Sequence, residues 1–278
     1  MPREEAAGRL ERTARGEWPW TAAWGAGDLA ALYAFGWEPV GQVSGACAIH
    51  AAVEGDGDVE SVARAWARAY YTARDTAMKR AQAQAETLGG TLVLGARPEW
   101  RRDGAVVECR LHGTAFRGPE TGTVVVSPLS AQEAARLRAV GIRPVGTAFG
   151  YARQTWPVGY RAESSAAPPG GALAEWEGLT RRLAQVRRAA LERLREDAQR
   201  IVGARGVVGA VTRQTVEDTE LRFVGYPGQG LVLDGVYYAY EANGVVNVPA
   251  FTFEVFMVGA AVTGWASGMN AIGTGIRL

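Results

Sequence analysis

The chain has 278 residues, 47% hydrophobic and 21% charged, with a formal net charge of +1. That length supports one large domain or two of moderate size, and the apolar content excludes global disorder. Near-neutral charge excludes a strong overall field toward nucleic acid or acidic membrane.

The opening MPREEAAGRLERTARGEWPW is charged and has no apolar core of the signal-peptide kind, so no secretory leader is expected there. Cys47 and Cys109 have no disulfide-scaffold spacing and fit a reducing, cytoplasmic setting. Lys79 is the single lysine, a bias toward arginine that GC-rich codons explain more simply than phosphate binding.

After this arm, GDLAALYAF predicts a short helix with Asp28 as a candidate N-cap and Gly36 as its stop. GWEPVGQVSG, Gly36 to Gly45, then opens a strand. A long helix follows, with Val59, Val62, Trp66, Tyr70, Ala73, Ala77, Ala81, Ala85 and Leu88 forming one apolar stripe. LGGTLVLGA and VVECRLHGTAF read as two further strands, and RGPETGTVVVSP as a linker.

The same order then recurs. AQEAARLRAV, with Ser130 as a candidate N-cap, precedes GIRPVGTAFG, which repeats the earlier glycine-rich motif 105 residues on. A second stripe runs through Leu173, Trp176, Leu179, Leu183, Val186, Ala190, Leu194, Ala198 and Ile201. VGARGVVGA and TFEVFMVGAAV supply the matching strands. The second copy carries two insertions: the Pro/Gly/Ser-rich loop RAESSAAPPGGA, and FVGYPGQGLVLDGVYYAYEANGVV, whose alternation and Asn243-Gly244 predict a hairpin. Val255 to Ile276 is free of charge and long enough to cross a bilayer, but its five glycines and Thr263, Ser267, Asn270 and Thr274 argue against a membrane span.

The expected fold is α+β: two tandem small domains in helix-β-α-β-β order, each a short sheet covered by one long helix. The boundaries are an arm at 1–19, a first domain at 20–118, a linker at 119–128, a second domain at 129–265 with its insertion near 214–250, and a glycine-rich tail at 266–278. Each long helix spans about 30 residues, roughly 45 Å. That exceeds what one small sheet needs and predicts packing beyond its own domain.

YYTARDTAMKRAQAQAETLGGTLVLGA, with GWEPVGQVSG before it and HGTAF after it, resembles the YbjQ-type heavy-metal-binding domain family. The second copy matches through RRAALERLREDAQRIVGARGVVGAV and VGAAV. The resemblance implies a small α/β domain that closes into rings, pentamers among relatives. The expected function is therefore a non-catalytic, self-associating protein, pentameric by preference.

Two groups of soft ligands, Cys47-x-x-His50 and Cys109-x-x-His112, would complete a tetrahedral set for zinc or another soft divalent metal. Residues i and i+3 of a strand point to opposite faces. Adjacent strands would therefore pair Cys47 with Cys109 on one face and His50 with His112 on the other, and the alternative is that all four are ordinary structural residues. The second long helix carries Arg181, Arg182, Arg187, Arg188, Arg193, Arg195 and Arg200 against Glu192, Glu196 and Asp197, the last two read as solvated. Repeated around a ring, those arginines would form a basic annulus for nucleic acid or anionic lipid, although a solvated helix face is the simpler reading. No nucleotide-binding, zinc-protease or nucleophile–base motif occurs, so no catalysis is expected.

Overall fold

The computed structural model describes residues 3–17, 19, 24–52, 59–119, 122–157, 177–227, 229–233, 236–264 and 276–277. The loop at 161–172 and nearly all of the tail lie outside the described residues. The fold is α+β.

Helix α1 spans Arg3–Ala14 and α2 spans Ala26–Tyr33. Gly25 stands at the N-cap of α2 with no side-chain cap bond, so Asp28 lies within the first turn and is not the cap expected. Strand β1 (Glu38–His50) leads to α3 (Val59–Thr87), followed by β2 (Leu92–Leu94), β3 (Glu99–Asp103), β4 (Val106–Arg117) and β5 (Val125–Val126). Helix α4 (Ala131–Ala139) begins at Ser130, whose hydroxyl accepts from the Glu133 amide while Glu133 accepts from Ser130 in return. This is the reciprocal cap that S-x-x-E favours. Strand β6 (Arg143–Pro157), α5 (Glu177–Gln199), β7 (Gly206–Val224), β8 (Gly230–Leu233), β9 (Val236–Ala239), β10 (Val245–Thr263) and β11 (Ile276–Arg277) complete the chain.

The first sheet has the order β1-β4-β2-β5, with β3 also paired to β4; the second has the order β11-β7-β10-β6. Among the described residues only β2 and β5 run parallel. The inner face of the first sheet, with Val43, Cys47, Val107, Cys109 and Leu111, packs on α3 through Ala73, Ala77, Ala81 and Ala85. The second sheet uses both faces. Ala148, Ala152, Phe253, Val255 and Met257 meet α5 through Val186, Ala190, Leu194 and Ala198, while Phe149, Tyr151 and Phe256 turn the other way and join the core around α3.

Helix α3 therefore lies between two sheets, giving the layer order sheet, α3, sheet, α5. The extra length of α3 is consumed by the second half of its own chain, and the two halves share one continuous core. A separate cluster joins α2, α4, Trp37, Phe116 and Val262 beside these layers.

The second insertion supplies the expected hairpin, β8–β9, and the strands on either side of it are long. Pairing of β10 with β6 ends at Ala250↔Pro157, whereas β10 and β7 stay paired out to Val245↔Val224. A two-stranded arm results, with the small β8–β9 hairpin following it. Val216, Val224, Tyr226, Val232 and Tyr237 are exposed along β7 and this hairpin. Among the described residues no helix is long and apolar enough to cross a membrane.

Candidate functional site

The repeated motif marks the place where each long helix crosses an edge strand. A Cβ on Gly45 would fall inside the Ala77 carbonyl of α3, and one on Gly150 inside the Ala190 carbonyl of α5. Only glycine admits a helix backbone so close to a strand. Side chains flanking each crossing satisfy backbone groups on the edge. Gln84 accepts the Ser44 amide at 2.9 Å, and Asp197 accepts the Phe149 amide at 2.9 Å. Arg80 donates to the Ala46 carbonyl, and Arg193 donates to the Tyr151 carbonyl at 2.5 Å. The strand partners are 105 positions apart and the helix partners 113 apart, so the correspondence between the halves extends to individual hydrogen bonds.

The contact between the halves adds what neither copy has alone. Arg74 on α3 reaches Asp197 on α5 at 2.6 Å and stacks over the Phe149 ring at 5.3 Å. Both charges are at most 9% exposed. Burial pulls the Arg74 pKa down, but the hydrogen bond and charge of Asp197 outweigh it, and the net shift is upward. Asp197 is thus a buried ion-pair partner, correcting its reading as a solvated helix-face acid.

Nearby, Glu254 is 3% exposed and accepts from Tyr151 at 2.8 Å, Arg153 at 2.6 Å and Arg102 at 3.0 Å. Arg102 also binds Glu217. Both arginines lie over the Trp66 ring, at 5.4 and 5.2 Å. Burial, reinforced by the Glu254 charge, pushes Tyr151 well above the ordinary phenol range; burial likewise raises Tyr70. These phenols stay protonated and the charges face one another. The arrangement holds the halves together, and its charged groups are engaged with each other.

The soft ligands are dispersed. Cys47 and Cys109 do sit directly opposite each other on β1 and β4, both buried. Burial pushes the Cys109 thiol up to about 12. His50 lies opposite Val106, and His112 opposite Ser44. The two histidines are exposed on the sheet and six residues apart along β1, roughly 20 Å. Their expected meeting is corrected by antiparallel pairing, which sends position +3 on one strand to −3 on the other. Among the described residues no group of three or more His, Cys, Asp or Glu is placed to hold a metal ion.

The basic helix is also less uniform than its sequence suggests. Arg182 stacks on Trp156 at 4.9 Å, Arg187 binds Gln214 at 2.8 Å, and Arg193 is spent on the strand edge. Arg181, Arg188, Arg195 and Arg200 are exposed. Sequence reasoning missed Arg74, Arg80, Gln84, Arg102, Arg153 and Glu254. A signal for two of them existed, because Arg80/Arg193 and Gln84/Asp197 occupy matching places on the two apolar stripes.

Across 212 residues, 72% of this chain and 79% of the relative, the sequence is 29% identical to an encapsulin nanocompartment protein of Mycobacterium tuberculosis. No family model matches the chain, and no solved structure matches it. The likeness to a compartment protein over most of the chain overturns the heavy-metal-binding function of the YbjQ type that the sequence motifs implied.

Proposed function

We propose that this chain is a structural subunit that associates with copies of itself to form a closed, cytoplasmic protein shell. One observation carries the reading: similarity to an encapsulin nanocompartment protein extends over 72% of the chain. The fold supports it physically. Its buried ionic groups are committed to joining the halves, and the end of β7 and the turn after it leave Val224 68% and Tyr226 76% exposed. Apolar side chains exposed close together are a feature of surfaces that meet a partner. On this reading the role is mechanical, not catalytic, with closed symmetry and a pentamer as the repeating unit. Electron-microscope class averages of the purified protein test it. Hollow particles are the expected result, with five-fold views reporting the unit. A species that remains monomeric at micromolar concentration by native mass spectrometry would overturn it.

A further inference from the structure

The layers within one chain are unequal at their two ends. The second sheet is covered on both faces, by α3 on one side and α5 on the other. The first sheet is covered by α3 along its inner face, whereas its outer face is covered only at one end, where Leu92, Leu94 and Phe116 join the α2–α4 cluster and Trp24 stacks on Phe116. On its outer face Gln42, Ala46 and Ala48 of β1 and Arg110 and His112 of β4 are exposed. That face carries a depression of about 400 Å³ bordered by Gln42, Ser44, His112 and Thr114 on the sheet and by Arg9 and Trp24 beside it. The buried Thr114 hydroxyl there has no hydrogen-bond partner.

The helices are unequal in the complementary way. Each places one row on its own sheet: Ala73, Ala77, Ala81 and Ala85 on α3, and Val186, Ala190, Leu194 and Ala198 on α5. Every pair is 113 positions apart. On α3 a second row, Trp66, Tyr70 and Arg74, then Met78, faces the next sheet, where Tyr70 meets Tyr151 and Phe256 and Arg74 meets Phe149 and Asp197. The same shift of 113 places Leu179, Leu183, Arg187 and Leu191 in the second row of α5. The three leucines are half-buried and Arg187 is exposed. The leucines border the core that α5 shares with its own sheet, and Arg187 binds Gln214 there. An apolar row with an arginine at the same step thus recurs on α5, against which, among the described residues, no further sheet of this chain is laid.

We propose that the second row of α5 docks on the outer face of the first sheet of a second copy, repeating between chains the contact that α3 makes within one. Ser44 and Ala46 occupy there the places that Phe149 and Tyr151 hold on the inner contact, and Gln84 the place of Asp197. Arg187 of one copy thereby approaches Gln84 of the next. The surfaces joined are different, so the contact is head-to-tail and propagates from chain to chain until it closes. Small and polar residues replace the aromatic ones of the internal contact, so this joint is the weaker of the two.

The inference rests on the self-assembly reading, and the test separates them. Ala46→Cys and Ala184→Cys together, on exposed positions of the two surfaces, are treated with a short bismaleimide in the assembled protein. The expected result is a denaturing-gel ladder extending past the dimer, with neither single variant producing it. Ala184→Trp should shift the particle to monomers while leaving its far-ultraviolet circular dichroism unchanged. Intact particles with no ladder, or intact particles from Ala184→Trp, overturn this contact and leave self-assembly standing. A wild-type chain that is itself monomeric overturns both.

Discussion

Replacing Gly45 with alanine tests the account of the repeated motif. The added methyl would lie 2.7 Å from the Ala77 carbonyl carbon and 3.2 Å from its Cα, and nearer still to its oxygen. Ordinary carbon contacts are about 3.5–4.0 Å, so α3 must retreat by about 1 Å. Backbone cannot rotate aside as a flexible side chain would, and such overpacking costs about 1–3 kcal/mol. The retreat also loosens the Gln84–Ser44 and Arg80–Ala46 bonds, about 1 kcal/mol each. Lower entropy of the unfolded alanine variant returns about 0.4–1 kcal/mol. The net expectation is a loss of about 2–4 kcal/mol, read as a fall of about 1 M in the urea midpoint at fixed protein concentration. Gly150→Ala, against Ala190 and Leu194, should behave alike. Gly27→Ala is the control: it is helical, exposed and has nothing within 4 Å. It should be neutral or slightly stabilising. Gly45→Ala unfolding within 0.5 kcal/mol of Gly27→Ala would refute the close-crossing argument.

Asp197→Ala strands the buried Arg74 charge and frees the Phe149 amide, and should cost about 3–5 kcal/mol by chemical denaturation; Asp75→Ala, which removes the exposed partner, should cost about 1 kcal/mol or less. Stability should fall in alkali: above the ordinary thiol value of 9.0 the unfolded chain releases the Cys109 proton, while the folded chain holds it to about 12. Stability present below pH 9 is therefore lost progressively toward pH 12, and Cys109→Ala should flatten that part of a pH series of denaturation midpoints. A disulfide-exchange reagent should react slowly with both cysteines at neutral pH and rapidly with both once the chain is unfolded, because Cys47 is 7% and Cys109 0% exposed.

Local regularities were legible in the sequence. The stripe through Ala73, Ala77, Ala81 and Ala85 is the row that α3 lays on its own sheet, and Ser130-x-x-Glu133 is a reciprocal cap. What the sequence hid depends on pairs remote along the chain. Arg74 and Asp197 are 123 positions apart, and each sits beside another acid, Asp75 or Glu196, so neither announces burial. The Cys–His groups misled for a similar reason. Their equal spacing suggests equal alignment, whereas an antiparallel register preserves one pairing and separates the other. The hairpin that the turn residues of the insertion suggest is present as β8–β9, but the sequence did not show that β7 and β10 also stay paired into an arm.

The two halves differ in the direction that the proposed head-to-tail assembly favours. Where the halves meet inside one chain, the contact uses Tyr70, Trp100, Tyr151 and Phe256, with ring centroids 4.4 to 6.2 Å apart, and a buried ion pair. Fusion makes this contact intramolecular, so its effective concentration is high whatever the strength of the surfaces. Strong surfaces there serve rigidity rather than recruitment. At the matching outer surfaces the same positions hold Leu183, Ser44, Ala46 and Arg110, a mixture that leaves no aromatic cluster there. In the proposed assembly a joint of that kind would form reversibly, so that a misplaced subunit could leave before the shell closed. Particles should accordingly dissociate into folded chains at denaturant concentrations below those that separate the halves. A single transition, in which loss of particles and loss of tryptophan burial coincide, would show that the two contacts are not graded in this way.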